Sequence, residues 1–269
     1  MIAHLINTDV GNRGVLGVYL DYRREDPNFL LNSAKMLLDN HERVLVITGF
    51  PIPPMMRAET DGPPGALALA KAVEALGGRA EVLTHPEVRE ALRPLGVGLV
   101  ESPDVSAYSL VIAVETPGRA SDGKYYSMSG LEIKRETFDW AVLEARELGI
   151  PTIGIGDGGN EAGMGRIRGL IERHVPHGER IASVVETDEL VLSAVSNWGA
   201  YGLVAGASIE FGRNLLEDWD EEKAVTAMVD AGLIDGVSKE LAPTVDGISL
   251  DVHVGMVELL KSLVNEALR

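Results

Sequence analysis

The 269-residue chain contains no cysteine and comparatively few basic residues. Without cysteine, the protein has no disulfide bond, thiol nucleophile or thiolate metal site. Lysine and arginine number 24 against 41 acidic residues, which gives a formal net charge of −17. Nucleic acids and anionic membranes require a basic surface, so this balance argues against both as partners. The lack of cysteine fits the cytoplasm, where we expect the protein to be located.

A basic region followed by a long apolar region is also lacking near residue 1, so we expect no secretory signal. Residues 190–209 contain no charged residue and have about the length of a membrane span. This run nevertheless includes Ser193, Ser196, Asn197 and several glycines. We therefore predict two buried helical pieces that meet near Asn197, and no membrane partner.

Glycine is abundant, with 30 residues, and the glycines cluster where predicted elements end. Short apolar runs predict strands, and apolar residues at helical spacing predict helices. The predicted strands are 44–48, 80–84, 97–100, 110–114, 152–155 and 181–185. The predicted helices are 28–38, 63–76, 86–92, 138–148, 221–231 and 252–268, and residues 9–40 as a whole are expected to be helical and peripheral.

Strands that alternate with helices indicate βαβ units. We therefore expect an α/β fold with a mainly parallel sheet flanked by helices, in a Rossmann-like three-layer architecture. The run at 110–114 is apolar throughout, as in a strand that is buried on both faces. The sequence contains no internal repeat, low-complexity tract or clear linker. Residues 1–269 are thus predicted to form a single domain with peripheral N- and C-terminal helices.

The segment from Ile150 to Gly165 is the most informative part of the sequence. A buried strand stops at glycines, and Asp157, Asn160 and Glu161 follow at once. A strand that passes through a glycine-rich turn into a helix places backbone N–H groups at the carboxyl end of a sheet, where open α/β proteins bind ligands. Glycines inside a helix cost about 1 kcal/mol each, so their retention favours the close approach of a ligand. The spacing also matches a dinucleotide-binding fingerprint, but weakly, because an acid lies where an anionic pyrophosphate would pass.

Polar and glycine residues follow the other predicted strands as well. Thr48 and Gly49 end the first strand, Glu115 follows the strand at 110–114, and Asp122 lies a few residues beyond it. Because the carboxyl ends of parallel strands point the same way, we expect these residues to converge with Asp157 in one acidic crevice.

Several of these residues allow more than one interpretation. Asp157 and Glu161, four residues apart, could cap a helix, bind an amine, or bind a divalent cation such as Mg²⁺ or Mn²⁺. Asp61 is either a helix cap or part of a ligand site, and Asn197 belongs either to a buried network or to a ligand contact. The six histidines form no metal triad, and we interpret them as structural or surface residues.

Five phrases in the sequence together resemble the D-glutamate cyclase C-terminal domain family, long known only as a domain of unknown function. The resemblance spans nearly the whole chain. The phrases are Thr48–Phe50 with Glu59–Ala66, Glu115–Tyr126, Gly156–Gly165, Val195–Tyr201 and Val245–Gly247. The resemblance implies a lyase that converts D-glutamate to 5-oxo-D-proline and water.

That reaction requires the α-amine to lose a proton and attack the γ-carboxyl carbon, and an oxygen to leave as water. A carboxylate base with a second acid or a metal would serve. We predict Glu115, Asp157 and Glu161 to be catalytic. The predicted substrate-binding residues are Thr48, Gly49, Asp61, Gly62, Asp122, Gly158, Asn160 and Asn197.

Two other functions stay open on the sequence alone. One is a metal-assisted hydrolase of a small acidic metabolite, and the other is a non-catalytic domain that binds an acidic metabolite. In each case the expected partner is a small molecule. The cofactor is undetermined, with Mn²⁺ or Mg²⁺ as candidates, and a homo-oligomer is left open.

Overall fold

The computed structural model describes all 269 residues. Ten strands and eleven α-helices follow one another along the chain. The strands are β1 (Arg43–Thr48), β2 (Pro51–Ile52), β3 (Arg57–Ala58), β4 (Arg79–Leu83), β5 (Gly98–Val100), β6 (Leu110–Val114), β7 (Thr152–Gly156), β8 (Glu189–Leu192), β9 (Thr244–Val245) and β10 (Ile248–Ser249). The helices are α1 (Ile2–Leu5), α2 (Val15–Glu25), α3 (Phe29–Asp39), α4 (Pro63–Ala75), α5 (Pro86–Leu92), α6 (Asp139–Glu147), α7 (Arg168–His174), α8 (Gly178–Ile181), α9 (Ser196–Phe211), α10 (Glu221–Asp230) and α11 (Leu250–Ala267).

Six of the strands form one parallel sheet in the order β5-β4-β1-β6-β7-β8. The central strands β1 and β6 pair with Val46 opposite Ile112. Their apolar runs are buried on both sides, which is typical of a parallel sheet covered by helices. The remaining four strands are two residues long each and form two separate antiparallel pairs, β2 with β3 and β9 with β10.

Helices cover both faces of this sheet, so the molecule has three layers. On one face, alternate residues such as Val44 and Val46 join a large core with α3, α4, α9 and α11. On the other face, the intervening residues Leu45 and Ile47 pack in a smaller core with Val142 of α6. The predicted α/β class, with a parallel sheet between helical layers, is confirmed.

The predicted strand at 181–185 is wrong. Ile181 ends the short helix α8, and the sixth strand of the sheet is β8, which lies at Glu189–Leu192. We also predicted two helical pieces in residues 190–209. This prediction is wrong, because the first part of that run belongs to β8. The second part of the run is α9, which begins at Ser196 and is buried over most of its length. No helix in the structure combines the length and the apolar character that crossing a membrane requires.

Residues 9–14 also differ from the helical and peripheral segment that we predicted. The chain leaves α1, passes through turns, and enters α2 only at Val15. The Asp9 carboxylate holds this loop by accepting hydrogen bonds from the backbone N–H groups of Arg13 (2.7 Å) and Gly14 (2.8 Å). The Arg13 side chain is thereby directed toward the carboxyl ends of the strands.

Glu221, at the start of α10, supplies a test of the packing on the α9 side. Its buried carboxylate accepts hydrogen bonds from the Tyr201 hydroxyl (2.6 Å) and from the Trp219 indole N–H (2.9 Å). Burial raises the pKa of Glu221 from 4.5 to about 7, although these two donors oppose the shift. The folded protein therefore binds this proton more tightly than the unfolded chain does.

Because the folded pKa is the higher one, the stabilisation from this proton is present below pH 4.5 and is lost as the pH rises to 7. The loss should amount to roughly 3 kcal/mol in the free energy of unfolding. Glu221→Gln keeps an acceptor for both donors and removes the titration. Urea unfolding of both proteins at pH 5 and pH 8 should show the variant gaining about this amount relative to the wild type. An identical pH dependence in the two proteins would contradict the assignment.

Candidate active site

A cavity of about 430 Å³ opens at the carboxyl ends of the central strands. Phe50 lies just beyond β1, Glu115 follows β6, and Asp157 follows β7. This is the sheet edge at which open α/β proteins bind ligands, and the volume is in the range of small-molecule sites. The lining residues are Arg13, Phe50, Ile52, Pro53, Glu59, Glu115, Ser127, Met128, Ser129, Asp157, Asn160, Pro176, Gly236, Val237, Lys239 and Asp246.

Six acidic residues are buried in and directly beneath this cavity, each no more than 5% exposed. These acids include two groups of three, and within each group one carboxylate oxygen of every residue lies within 4.8 Å of the others. Asp157 belongs to both groups. The first group is Asp61, Asp157 and Asp246; the second is Glu115, Asp157 and Glu161; the sixth acid is Glu59. Such a concentration of buried carboxylates is costly unless cations, protons or hydrogen-bond donors offset it.

Arg13 is the cation that contacts this acidic cluster. Its guanidinium donates a hydrogen bond to Asp157 at 2.5 Å and is also paired with Asp246. The side chain of Arg13 is 20% exposed, whereas those of its two partners are 3% exposed. Arg13 therefore forms part of the cavity wall and offsets the charge of the first group of acids.

The environment alters the proton affinity of the cluster. Burial first, and neighbouring carboxylates second, raise the pKa of Glu59 and of Glu115 well above the ordinary carboxyl range. Burial raises the pKa of Asp157 to about 8, although the charge of Arg13 opposes the shift. Burial also raises the pKa of Asp246, again against Arg13. Carboxyl groups of this kind keep a proton near neutral pH or need a cation beside them.

Asp61 and Asn197 cap each other's helices. The Asp61 carboxylate accepts hydrogen bonds from the backbone N–H groups of Ser196 and Asn197, both at 2.8 Å, at the start of α9. In return, the Asn197 side-chain oxygen accepts from the N–H groups of Gly62 (3.0 Å) and Gly65 (2.8 Å), at the start of α4. Both residues are buried, and the helix that Asp61 caps is α9 rather than α4, which follows it in the sequence.

Gly62 is required at this junction for two reasons. Its φ is +97°, which residues with a side chain rarely adopt. A Cβ at this position would also lie 2.6 Å from the Cβ of Glu115 and 2.8 Å from the Thr48 hydroxyl. The close approach of the α4 N-terminus to β6 thus fixes the position of Glu115.

Asn197→Ala should destabilise the protein by about 3 kcal/mol, because two buried N–H groups at the start of α4 would lose their acceptor. Asn32→Ala, at an exposed position on α3, is the matched control and should change the free energy of unfolding by less than about 0.5 kcal/mol. Chemical denaturation of both variants measures the difference. Equal stability of the two would refute the capping role.

Glu161 organises the turn after β7. Its carboxylate accepts hydrogen bonds from the backbone N–H groups of Gly158 and Gly159, each at 2.7 Å. It is 1% exposed and lies behind the cavity wall, within 4.8 Å of the carboxylate oxygens of Glu115 and Asp157. This arrangement directs Asp157 toward the cavity.

Two buried polar atoms near the cluster lack a partner in the protein. Asn160 donates through its Nδ2 to the Tyr126 carbonyl at 2.6 Å, but its Oδ1 accepts no hydrogen bond. The Thr48 hydroxyl is likewise unpaired. Buried polar atoms are normally satisfied, so these two oxygens are available to a water molecule, an ion or a ligand.

The structure brings the predicted site residues to different places. Of the predicted catalytic residues, Glu115 and Asp157 line the cavity, and Glu161 lies behind them. Of the predicted substrate-binding residues, Asn160 lines the cavity, whereas Thr48, Gly49, Asp61, Gly62, Gly158 and Asn197 lie outside its wall.

The backbone N–H groups of the three predicted substrate-binding glycines are already in use within the protein. Gly49 N–H bonds to the Glu115 carbonyl, Gly62 N–H bonds to Asp61 and Asn197, and Gly158 N–H bonds to Glu161. Asp122 is exposed and is not brought to the cavity. Its carboxylate accepts from the Lys124 backbone N–H and from the Tyr126 hydroxyl, and so stabilises its own turn.

Four charged cavity residues were absent from the predicted site: Arg13, Glu59, Lys239 and Asp246. Glu59 and Asp246 lie in sequence motifs that carried the family resemblance. That resemblance was the sequence signal by which they could have been identified as site residues. Glu59 packs tightly against Gly236, where a Cβ would lie 1.7 Å from its Oε2. Arg13 and Lys239 lie in loops with no local signal.

Three of the six non-glycine residues with positive φ line the same cavity. Glu115, Lys239 and Asp246 have φ values of +41°, +62° and +56°, in the left-handed region that non-glycine residues rarely occupy. All three line the cavity. Strain of this kind persists where the surrounding structure enforces it and is common at functional sites.

Sequence comparisons agree with these motifs. A family model described as "D-glutamate cyclase-like, C-terminal" matches residues 2–102 and 97–261 of the chain. The mitochondrial D-glutamate cyclase of Homo sapiens is 34% identical over 242 residues. The aligned region covers 76% of this chain and 38% of the human protein, so the chain spans well under half of that relative.

Two solved structures are distantly similar. A manganese-bound exonuclease RecJ has a TM-score of 0.41 at 15% identity, covering 74% of this chain and 42% of that one. RecJ from Thermus thermophilus in complex with Mn²⁺ has a TM-score of 0.38 at 15% identity, covering 90% of this chain and 36% of that one. At these scores, nothing about the site is transferred from either structure.

Proposed function

Because the chain belongs to the D-glutamate cyclase-like C-terminal family, we propose that it is a lyase that closes D-glutamate to 5-oxo-D-proline with release of water. The observation that carries the proposal is the charge arrangement of the cavity. Arg13 and Lys239 lie on a wall that also holds the carboxylates of Glu59, Glu115 and Asp157. D-glutamate carries two carboxylates and one ammonium group, so this wall offers a partner of opposite charge to each end of the substrate.

We assign the binding of the substrate carboxylates to Arg13 and Lys239. An arginine presents a planar, forked set of donors that fits a carboxylate, whereas a lysine presents a single mobile charge. Glu115 and Asp157 then face the ammonium group and the bond that forms. In this arrangement the γ-carboxyl carbon is held near the α-nitrogen, which reduces the entropic cost of closing the five-membered ring.

The reaction requires two protons to move from nitrogen to oxygen. One C–N bond forms as the ammonium loses two protons, and one C–O bond of the γ-carboxylate breaks as its oxygen gains them and leaves as water. No histidine, tyrosine or cysteine lines the cavity, so the groups placed to carry these protons are its carboxyl groups and Lys239. Carboxyl groups with raised pKa values can both accept and return a proton near neutral pH, and Glu115 and Asp157 are of this kind.

The experiment is to incubate the purified protein separately with D-glutamate, L-glutamate and both enantiomers of 5-oxoproline, with and without MnCl₂. Chiral chromatography identifies the products. We expect 5-oxo-D-proline from D-glutamate at a rate well above that of the protein-free solution. Absence of product from D-glutamate under both conditions would contradict the proposal, as would cyclisation of L-glutamate alone.

A further inference from the structure

We propose that Glu115, Asp157, Glu161 and Asn160 form a binding site for one divalent cation of the Mg²⁺ or Mn²⁺ class. The side-chain oxygens of the three acids lie within 4.8 Å of one another, so a single ion between them could contact all three. Carboxylate and amide oxygens are the ligands that these hard cations prefer. The inference concerns binding alone and does not depend on the proposed reaction.

The distribution of charge favours this group of acids over its neighbour. In the other group, Asp157 and Asp246 are already paired with the Arg13 guanidinium. Glu115 and Glu161 have no cationic partner, and their hydrogen-bond donors are the Ser196 hydroxyl (2.5 Å) and backbone N–H groups. Three ionised carboxylates carry a charge of −3, and Arg13, which is shared with Asp246, offsets at most one of these charges. A divalent cation would neutralise most of the remaining charge.

Asn160 provides an independent sign of a ligand at this point. Its side chain is 1% exposed, and its Oδ1 has no hydrogen-bond partner. Asn160 Oδ1 and Glu161 Oε1 each lie 3.0 Å from the position that a Cβ on residue 158 would take, so the two oxygens converge on one side of Gly158. The Nδ2 atom donates to the Tyr126 carbonyl at 2.6 Å, which leaves the Oδ1 end of the amide available to a ligand.

The proposed site is also accessible. Glu115, Asp157 and Asn160 all line the cavity, so an ion can enter from solvent and keep open positions on the cavity side. Mg²⁺ and Mn²⁺ commonly retain water at such positions, where a substrate oxygen can replace it. In the proposed reaction that oxygen would belong to the γ-carboxylate.

The test is a titration of the metal-free protein with MnCl₂, in which free Mn²⁺ is measured by electron paramagnetic resonance. We expect one saturable ion per chain. Glu115→Gln should weaken binding by about 100-fold, and Asn160→Ala by about 10-fold. Asn160→Asp, which keeps an oxygen at this position, should bind at least as tightly as the wild type. Circular dichroism establishes that each variant is folded.

Glu147→Gln is the matched control, because it removes the same charge from an exposed position on α6. It should bind Mn²⁺ as the wild type does. Equal weakening by Glu147→Gln and Glu115→Gln would mean that Mn²⁺ only associates loosely with an acidic surface, and would overturn the proposal. Unchanged affinity in both Glu115→Gln and Asn160→Ala, or no saturable binding by the wild type, would overturn it too. Because the readout is free Mn²⁺, a protein inactive on D-glutamate would still give a clear answer.

Discussion

Asp157→Asn should lower the turnover of D-glutamate by about 100-fold or more. The substitution keeps the size of the side chain and removes the carboxylate that is shared by both groups of acids. The amide cannot transfer a proton as a carboxylate does, and as a neutral ligand it would hold a cation less tightly than a carboxylate. The free energy of unfolding should hold or rise, because burial raises the pKa of Asp157 and disfavours its ionised form in the folded protein.

Two further variants separate catalysis from structure. Glu161→Gln would place an amide NH₂ or a weaker acceptor against the Gly158 and Gly159 N–H groups, so it should destabilise the protein by about 2 kcal/mol. Asp39→Asn, at the exposed end of α3, should leave turnover unchanged. Initial rates at saturating substrate and urea unfolding curves give both quantities. Full turnover by Asp157→Asn would refute the role of this carboxylate.

Arg13→Met should raise the KM for D-glutamate by roughly 100-fold, because the charge-assisted hydrogen bonds it offers to a substrate carboxylate are worth up to about 3 kcal/mol. The methionine fills a similar volume along the cavity wall but carries no charge. Arg13→Lys should recover only part of the loss, since lysine cannot bind a carboxylate with two parallel hydrogen bonds. Steady-state kinetics over a wide range of D-glutamate concentrations measures the effect.

Arg24→Met is the control for the Arg13 variant. Arg24 is 76% exposed and pairs with Asp21 on its own helix α2. We expect its KM and kcat to match those of the wild type. If Arg13→Met changed kcat alone and left KM as it was, Arg13 would serve to organise Asp157 and Asp246, and the assignment of a substrate carboxylate to it would be wrong.

The strands of the sheet interior were predictable because their sequences leave few alternatives. Leu110–Val114 is apolar at every position, and a parallel strand covered by helices on both faces requires this pattern. The edge of the sheet was harder. Ile181–Val185 is also short and apolar, but its buried residues belong to a helix end and a loop. Short apolar runs do not distinguish these structures.

The uncharged run at 190–209 shows a related difficulty. Leu190–Leu192 completes β8, and the chain then turns into α9 at Ser196. Both elements are buried, so neither has a polar face from which its period could be recognised. The polar residues Ser196 and Asn197 correctly indicated a break in the run. Their backbone N–H groups donate hydrogen bonds to the Asp61 carboxylate at this junction.

The candidate site was predictable where it depends on strand ends. Glu115 and Asp157 follow adjacent strands of the sheet, and parallel topology brings such positions together. Arg13 could not be found in this way, because it reaches Asp157 across 144 residues of sequence from a loop outside the sheet. The position of Asp122 outside the cavity was equally hard to predict, because tertiary contacts decide whether a loop folds over a cavity or away from it.

The measurement that tests the central claim most directly is a crystal structure of Asp157→Asn grown with D-glutamate. This variant should bind the substrate without converting it. We predict electron density for D-glutamate in the cavity, with a carboxylate on Arg13 and the α-nitrogen facing Glu115. Density at another surface, with this cavity holding only water at saturating D-glutamate, would contradict the account.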